Sequence, residues 1–169
     1  MRIHPEPAAL IALTPFWTGP RFASGRPRVP HEVLNRLRVA TTEQAWDVLR
    51  AEGYPRQFAG GWLQTHCRGT DPTAILDVTL AGINLPVRVG QATVLPGDIV
   101  LGTPTGVTFI PAQLAGKVAD VAEDIAVRDI FGKARLAEQV YGSADIDTSP
   151  WAPDIENDFQ QWRLARLSS

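Results

Sequence analysis

Prolines at 5, 7, 15, 20, 27 and 30 crowd the first thirty residues and limit what this part of the chain can become more firmly than any other feature. Each lacks an N–H and pushes its predecessor out of the helical region, so no long helix can form here. Phe16, Trp17 and Phe22 lie between them. Such rings would be wasted on a solvated linker, and residues 1 to 30 therefore read as an ordered arm packed against a body or a neighbouring subunit. Beyond Val29-Pro30-His31, the residues Val33, Leu34, Leu37 and Val39 suit a short helical stretch. Thr41 with Gln44 three residues on is a capping box, Ala45, Trp46, Val48 and Leu49 form one apolar stripe, and Gly53 stands at C′. This local chemistry predicts a helix over residues 42–52.

After a Gly-rich passage at Gly60-Gly61-Trp62, the character changes. From Asp71 to Ile110 short strand-like runs alternate with turn signals, the first run interrupted by Asp77, Thr79 and Gly82. Val87-Arg88-Val89 and Ala92-Thr93-Val94 flank Gly90-Gln91, a two-residue hairpin loop with Gly first. Leu95-Pro96-Gly97-Asp98 and Thr103-Pro104-Thr105-Gly106 are turns on either side of Ile99-Val100-Leu101, and Val107-Thr108-Phe109-Ile110 is a last strand. The expectation is a β-meander over residues 74–110. Pro111 then suits the first position of a long helix whose Leu114, Val118, Val121 and Ile125 would lie on the sheet, with Gly132 bending or breaking it. Ser149-Pro150-Trp151-Ala152-Pro153 leads to a final amphipathic helix carrying Ile155, Phe159 and Trp162. The expected fold class is α+β, divided as arm and helices over 1–66, meander and helix over 67–148, and C-terminal helix over 149–169, within one structural domain.

The chain has 169 residues, of which 44% are hydrophobic and 20% charged, enough for a single core and unlike a disordered chain. Its net charge of −2 argues against a direct nucleic-acid partner. No apolar run reaches membrane-spanning length and no secretory pattern opens the chain, so the expected location is the cytoplasm, without a membrane partner. Cys67 is the one cysteine, which excludes an intrachain disulfide and a four-cysteine zinc site. His4, His31 and His66 share no ligand spacing, and His66 beside Cys67 along the chain does not establish a nucleophile and its base. No phosphate loop, nucleophile elbow or dinucleotide fingerprint is present. Arg128-Asp129 reads as a solvated pair, and Asp120, Glu123 and Asp124 as the outer face of their helix. No catalytic residue and no metal ligand follow from these patterns.

The run from Leu85 to Pro111, with Pro86-Val87 before a hairpin, Val94-Leu95-Pro96-Gly97-Asp98, and Gly102-Thr103-Pro104-Thr105-Gly106-Val107 before a strand ending in Pro111, resembles a known signature. It is similar to the C-terminal part of the family that includes the regulator of ribonuclease E activity A (RraA) and the class II 4-hydroxy-4-methyl-2-oxoglutarate aldolases. Gly25-Arg26-Pro27-Arg28-Val29-Pro30, the helix at Thr41, Phe131-Gly132-Lys133 and the aromatic C-terminal helix resemble a longer-chain branch. Cys67-Arg68-Gly69-Thr70-Asp71-Pro72-Thr73 resembles the family's Arg-Gly-x-x-Pro loop, which implies substrate-binding roles for Arg68 and Thr70. The resemblance implies a partial β/β/α swivelling-type sandwich, a trimer or hexamer, and a lyase that forms pyruvate from 4-hydroxy-4-methyl-2-oxoglutarate or oxaloacetate with Mg²⁺ or another divalent metal.

Departures from the family pattern bear on that activity. The family carries a substrate-binding Gly loop and a Gly-rich segment closing with Arg-Asp, the Arg for the substrate carboxylate and the Asp for the metal. Neither lies between Gly60 and Cys67, and Arg128-Asp129 sits in a helix without the preceding strand. Thr103 and Thr105 replace acids common in the corresponding turn. The reading is a family member with its centre missing near His66-Cys67 and inactive in this form. The alternatives are a non-enzymatic regulator that binds a protein partner, since thirteen of the eighteen acids follow His66, and a fragment without independent function.

Overall fold

The computed structural model describes residues 4–60, 82–104 and 106–167. The chain divides into two compact units, Met1–Ala122 and Glu123–Ser169. Helices and small antiparallel sheets together make an α+β protein, as expected.

In the first unit the arm is ordered by one side chain. A short helix, α1 (Pro7–Leu13), precedes an irregular turn in which the Arg21 guanidinium donates to the carbonyls of Thr14, Trp17 and Gly25 and to the Thr14 hydroxyl, at 2.8–3.1 Å. Repeated prolines leave carbonyls without helical donors, and a five-donor guanidinium satisfies several at once. Helix α2 (His31–Leu37) and helix α3 (Thr42–Ala51) follow. The Thr41–Gln44 capping box forms in full, and Gly53 adopts φ +85° just beyond α3.

Strand β1 (Phe58–Gly60), which no sequence pattern predicts, ends at the start of the Gly-rich passage. Strands β2 (Val87–Val89) and β3 (Ala92–Val94) form the hairpin expected around Gly90-Gln91, with Gly90 at φ +60°. Strands β4 (Ile99–Thr103) and β5 (Gly106–Ile110) form a second antiparallel hairpin, and β1 pairs with the other edge of β5, giving the order β1-β5-β4. The expected single meander is thus corrected, among the described residues, to two separate sheets. The link between them closes on itself, Asp98 N–H donating to the Leu95 carbonyl and Leu95 N–H to the Asp98 carboxylate, which turns the chain away from continued pairing. Residues 74–81 of the expected strand region lie outside the described residues.

A 3₁₀ turn (Ala112–Leu114) leads into helix α4 (Ala115–Ala137). Leu114, Ala115, Val118, Ala119 and Ala122 are buried with Ile110 of β5 and with Leu37, Ala40, Ala45, Val48 and Leu49. Val121 flanks this core and Ile125 has no part in it. The small side chains at 115, 119 and 122 allow close approach and rotate the buried stripe away from the larger residues at 121 and 125. Thr103, an acid in the resembling family, has its hydroxyl 2.7 Å from that of Thr42 at the start of α3.

The second unit has its own core. Helix α6 (Pro153–Leu167) lays Ile155 and Phe159 on Phe131 of α4, with Trp151 and Trp162 closing the cluster. Phe131 meets Trp151, Phe159 and Trp162 at ring centroid distances of 5.4–5.5 Å, two of them edge-on. Ile155, Phe159 and Trp162 of the C-terminal helix are therefore covered by a helix of their own chain. Gly132 does not break α4, which runs on to Ala137. A Cβ there would stand 2.7 Å from Ile146 Cγ2 in the short helix α5 (Ser143–Ile146), so the glycine makes room for that side chain.

Two outcomes test this packing by thermal or urea unfolding. Gly132→Ala destabilises although helix propensity alone favours alanine by about 1 kcal/mol, and the sign reverses in an Ile146→Ala background. Among the described residues the Thr108 hydroxyl is buried without a hydrogen-bond partner, so Thr108→Val stabilises by about 1 kcal/mol; a loss of stability would overturn this.

Candidate functional site

Five segments of the first unit enclose a cleft of about 690 Å³. They are the end of the arm helix with Thr14–Phe16, the stretch Tyr54–Gln57 before β1, the β2–β3 hairpin, the turn holding Leu95 and Asp98, and Pro111–Gln113 before α4. Gln57 fixes two of these walls. Its buried amide donates to the Thr93 carbonyl at 3.0 Å, and its own carbonyl accepts from Phe109 N–H at 2.8 Å. Gln113 donates to the Tyr54 hydroxyl at 3.1 Å, and Thr14, held by Arg21, donates to the Leu10 carbonyl at 2.9 Å. The polar groups are thus placed by bonds to one another and to the surrounding backbone.

Asp98 is the only carboxylate on the described wall. It follows Gly97, whose φ of +104° suits a Pro-Gly turn and where any Cβ would stand within 2.9 Å of the Pro27 ring. The arm therefore lies directly against the turn and strips water from the neighbouring carboxyl. Burial pushes Asp98 up to about 6 from its usual 3.8, opposed by the Leu95 N–H bond. Arg56 and Arg88 line the same cleft. Arg88 donates through Nε to the Gly90 carbonyl at 3.3 Å, and neither guanidinium pairs with a carboxylate among the described residues. A second, smaller cleft of about 320 Å³ shares Asp98 and is lined by Arg26, Arg28 and His31, with both guanidiniums stacked over Phe22 at 4.6 and 5.6 Å.

The residues singled out in the sequence fare differently. Arg68 and Thr70, with His66, Cys67 and Thr105, lie outside the described residues. His4 is exposed, and His31 lines the smaller cleft. Arg128, read as solvated, is instead held in the second unit. It donates to both oxygens of Glu156 at 2.8 and 3.0 Å and to Asp124 at 2.8 Å, beneath which lie the rings of Trp151 and Phe159. That pairing holds the Glu156 carboxyl below the usual carboxylate range. Asp129 is exposed, Asp120 pairs with Arg36, and Asp124 also accepts from Arg163. The sequence misses Arg21, Gln57, Asp98 and the cleft arginines, for which the Pro-Gly-Asp turn is the one available signal.

Among the described residues no group of three or more His, Cys, Asp or Glu could hold a metal ion. Asp98 alone, with its acid form favoured by burial and no second carboxylate on the wall, does not fit the oxygen-rich set that a divalent cation requires. No helix among the described residues is long and apolar enough to cross a membrane.

A short stretch of this chain is similar to an aldolase. Over 45 residues it is 40% identical to a protein of Halalkalibacterium halodurans named "Putative 4-hydroxy-4-methyl-2-oxoglutarate aldolase". The stretch is 27% of this chain and 21% of that protein, so about a fifth of the curated relative's length is spanned. No family model and no solved structure matches.

The Asp98 carboxyl gives a pH signature with a definite sign. Between 3.8 and about 6 the folded chain retains a proton that the unfolded chain has released, so stability falls as pH rises through that window. Asp98→Asn can still accept from Leu95 N–H but has no proton to lose. Wild-type stability should decline relative to Asp98→Asn from pH 4 to 6 and run parallel above it; parallel curves throughout would place the carboxyl in water.

Proposed function

We propose that this chain is a relative of the pyruvate-forming aldolases and decarboxylases of the RraA-like family that does not itself carry out the cleavage. The resemblance of Leu85–Pro111 and the 45-residue similarity to an aldolase support the relationship. One observation supports the loss of activity. The chain holds a single Arg-Asp dipeptide, Arg128-Asp129, and it lies inside helix α4 with the guanidinium already committed to Glu156 and Asp124.

Forming pyruvate by retro-aldol cleavage or decarboxylation leaves an enolate. Its developing charge needs a Lewis acid, and the substrate carboxylate needs a cation in register with it. Arg128 cannot turn to a substrate without giving up its bonds to both oxygens of Glu156 and to Asp124. Asp98 in the cleft of the first unit does not replace the missing metal-binding aspartate, for the reasons of charge and ligand number given above. An ancestral chain with a longer centre, joined here at His66-Cys67, accounts for both the retained hairpins and the missing pair.

A coupled pyruvate assay with oxaloacetate or 4-hydroxy-4-methyl-2-oxoglutarate, with Mg²⁺ or Mn²⁺ added, should show no turnover above the metal-only background. Turnover in the ordinary enzymatic range of about 1 to 10³ s⁻¹ would overturn the reading.

A further inference from the structure

We propose that the larger cleft of the first unit binds a small aromatic monocarboxylate, its charge held by Arg56 and Arg88 and its ring laid against Phe16. The claim concerns binding alone and holds whether or not the chain forms pyruvate.

Size comes first. At about 690 Å³ the cleft falls within the usual range of small-molecule sites. Charge narrows the class. Arg56 and Arg88 come from separate segments, the stretch before β1 and strand β2, yet line one cavity without an ion pair to any described residue. Among the described residues Arg56 makes no hydrogen bond and Arg88 uses only its Nε, so no described residue occupies the terminal nitrogens of either fork. Planar guanidinium forks suit a carboxylate. Asp98 lines the same cleft as the one described anion, leaving a surplus of a single positive charge there when it is ionised. A monoanion balances that surplus; a polyanion would bring uncompensated charge against Asp98.

The apolar side of the cleft specifies the rest. Phe16 is 72% exposed although it lines the cavity with Leu13, Pro15 and Leu95. A ring left in water at the mouth of a cleft gains most from stacking on another ring, an arrangement that adds stabilisation beyond area burial alone. Gln113 and Tyr54, already bonded to each other, supply a polar edge that orients without adding charge.

The test uses 2-naphthoate as probe and its neutral counterpart 2-naphthylmethanol, titrated into the full chain at pH 7.5 and low salt by calorimetry, with saturation-transfer NMR to map the bound ring. Naphthoate should bind saturably, the alcohol about tenfold more weakly or worse, and the double variant Arg56→Gln/Arg88→Gln should lose about tenfold in affinity for naphthoate while leaving the alcohol unchanged. Both arginines are exposed, and circular dichroism confirms that the variant is folded. Phe16→Ala should weaken both probes, and Asp98→Asn should tighten naphthoate only. No saturable binding, equal affinity for acid and alcohol, or naphthoate binding undiminished in the double variant would each overturn the proposal.

Discussion

Gln57 is the joint on which the architecture around the cleft depends. Its side chain holds the β3 backbone and its main chain holds Phe109 of the central strand, so a single buried residue ties together two sheets that share no strand pairing among the described residues. A buried amide is an expensive component unless it is bonded, and the same expense makes it a specific one: a slip of the hairpin by one residue would carry the Thr93 carbonyl away from the Gln57 amide and leave that donor unsatisfied. The cleft therefore owes two of its walls to the hydrogen-bonding needs of one glutamine, with the arm ordered internally by Arg21 and set against the Asp98 turn by the Gly97–Pro27 contact.

The second unit uses a different economy of forces. Four rings, Phe131, Trp151, Phe159 and Trp162, cluster in it, and Arg128 and Arg135 of α4 lie over Phe159 and Phe131 with their forks turned to acids of α6. Arg135 bonds both oxygens of Asp158 at 2.7 and 2.8 Å, much as Arg128 does with Glu156. In each case the cation is stacked on one side and hydrogen-bonded on its edge, which holds the partner carboxyl below its ordinary range. Residues that along the sequence look like a solvated charged face are thus the outer shell of a small aromatic core.

What could be read in the sequence follows the range of the interactions involved. The capping box at Thr41, the Gly90-Gln91 hairpin and the Pro-Gly-Asp turn are determined by neighbours within four residues, and all are found. Strand β1, three residues long, carries too little alternation to be seen, and becomes a strand only because β5 offers a free edge. The buried face of α4 is set by the alanines that allow close approach, a weaker apolar signal in the sequence than Val121 and Ile125. Arg128 finds Asp124 one turn away, but Glu156 lies 28 residues on, and no local pattern reports that distance. The cleft is assembled from five segments without a shared motif, so its existence belongs to tertiary structure alone, while the proposed loop residues Arg68 and Thr70 stand outside the described residues.

Asp98 stands in the wall of both clefts, between Arg56 and Arg88 on one side and Arg26, Arg28 and His31 on the other. An electrostatic conversation between the two follows from that position. A negative charge entering either cavity would make the shared carboxyl hold its proton more tightly, so occupancy would be accompanied by proton uptake from the buffer near pH 6. Linkage makes the relation mutual: the medium that supplies the proton also changes how readily either cavity fills. One desolvated side chain, placed by a turn and a proline, thereby makes the acidity of the surroundings a variable that both cavities sense together.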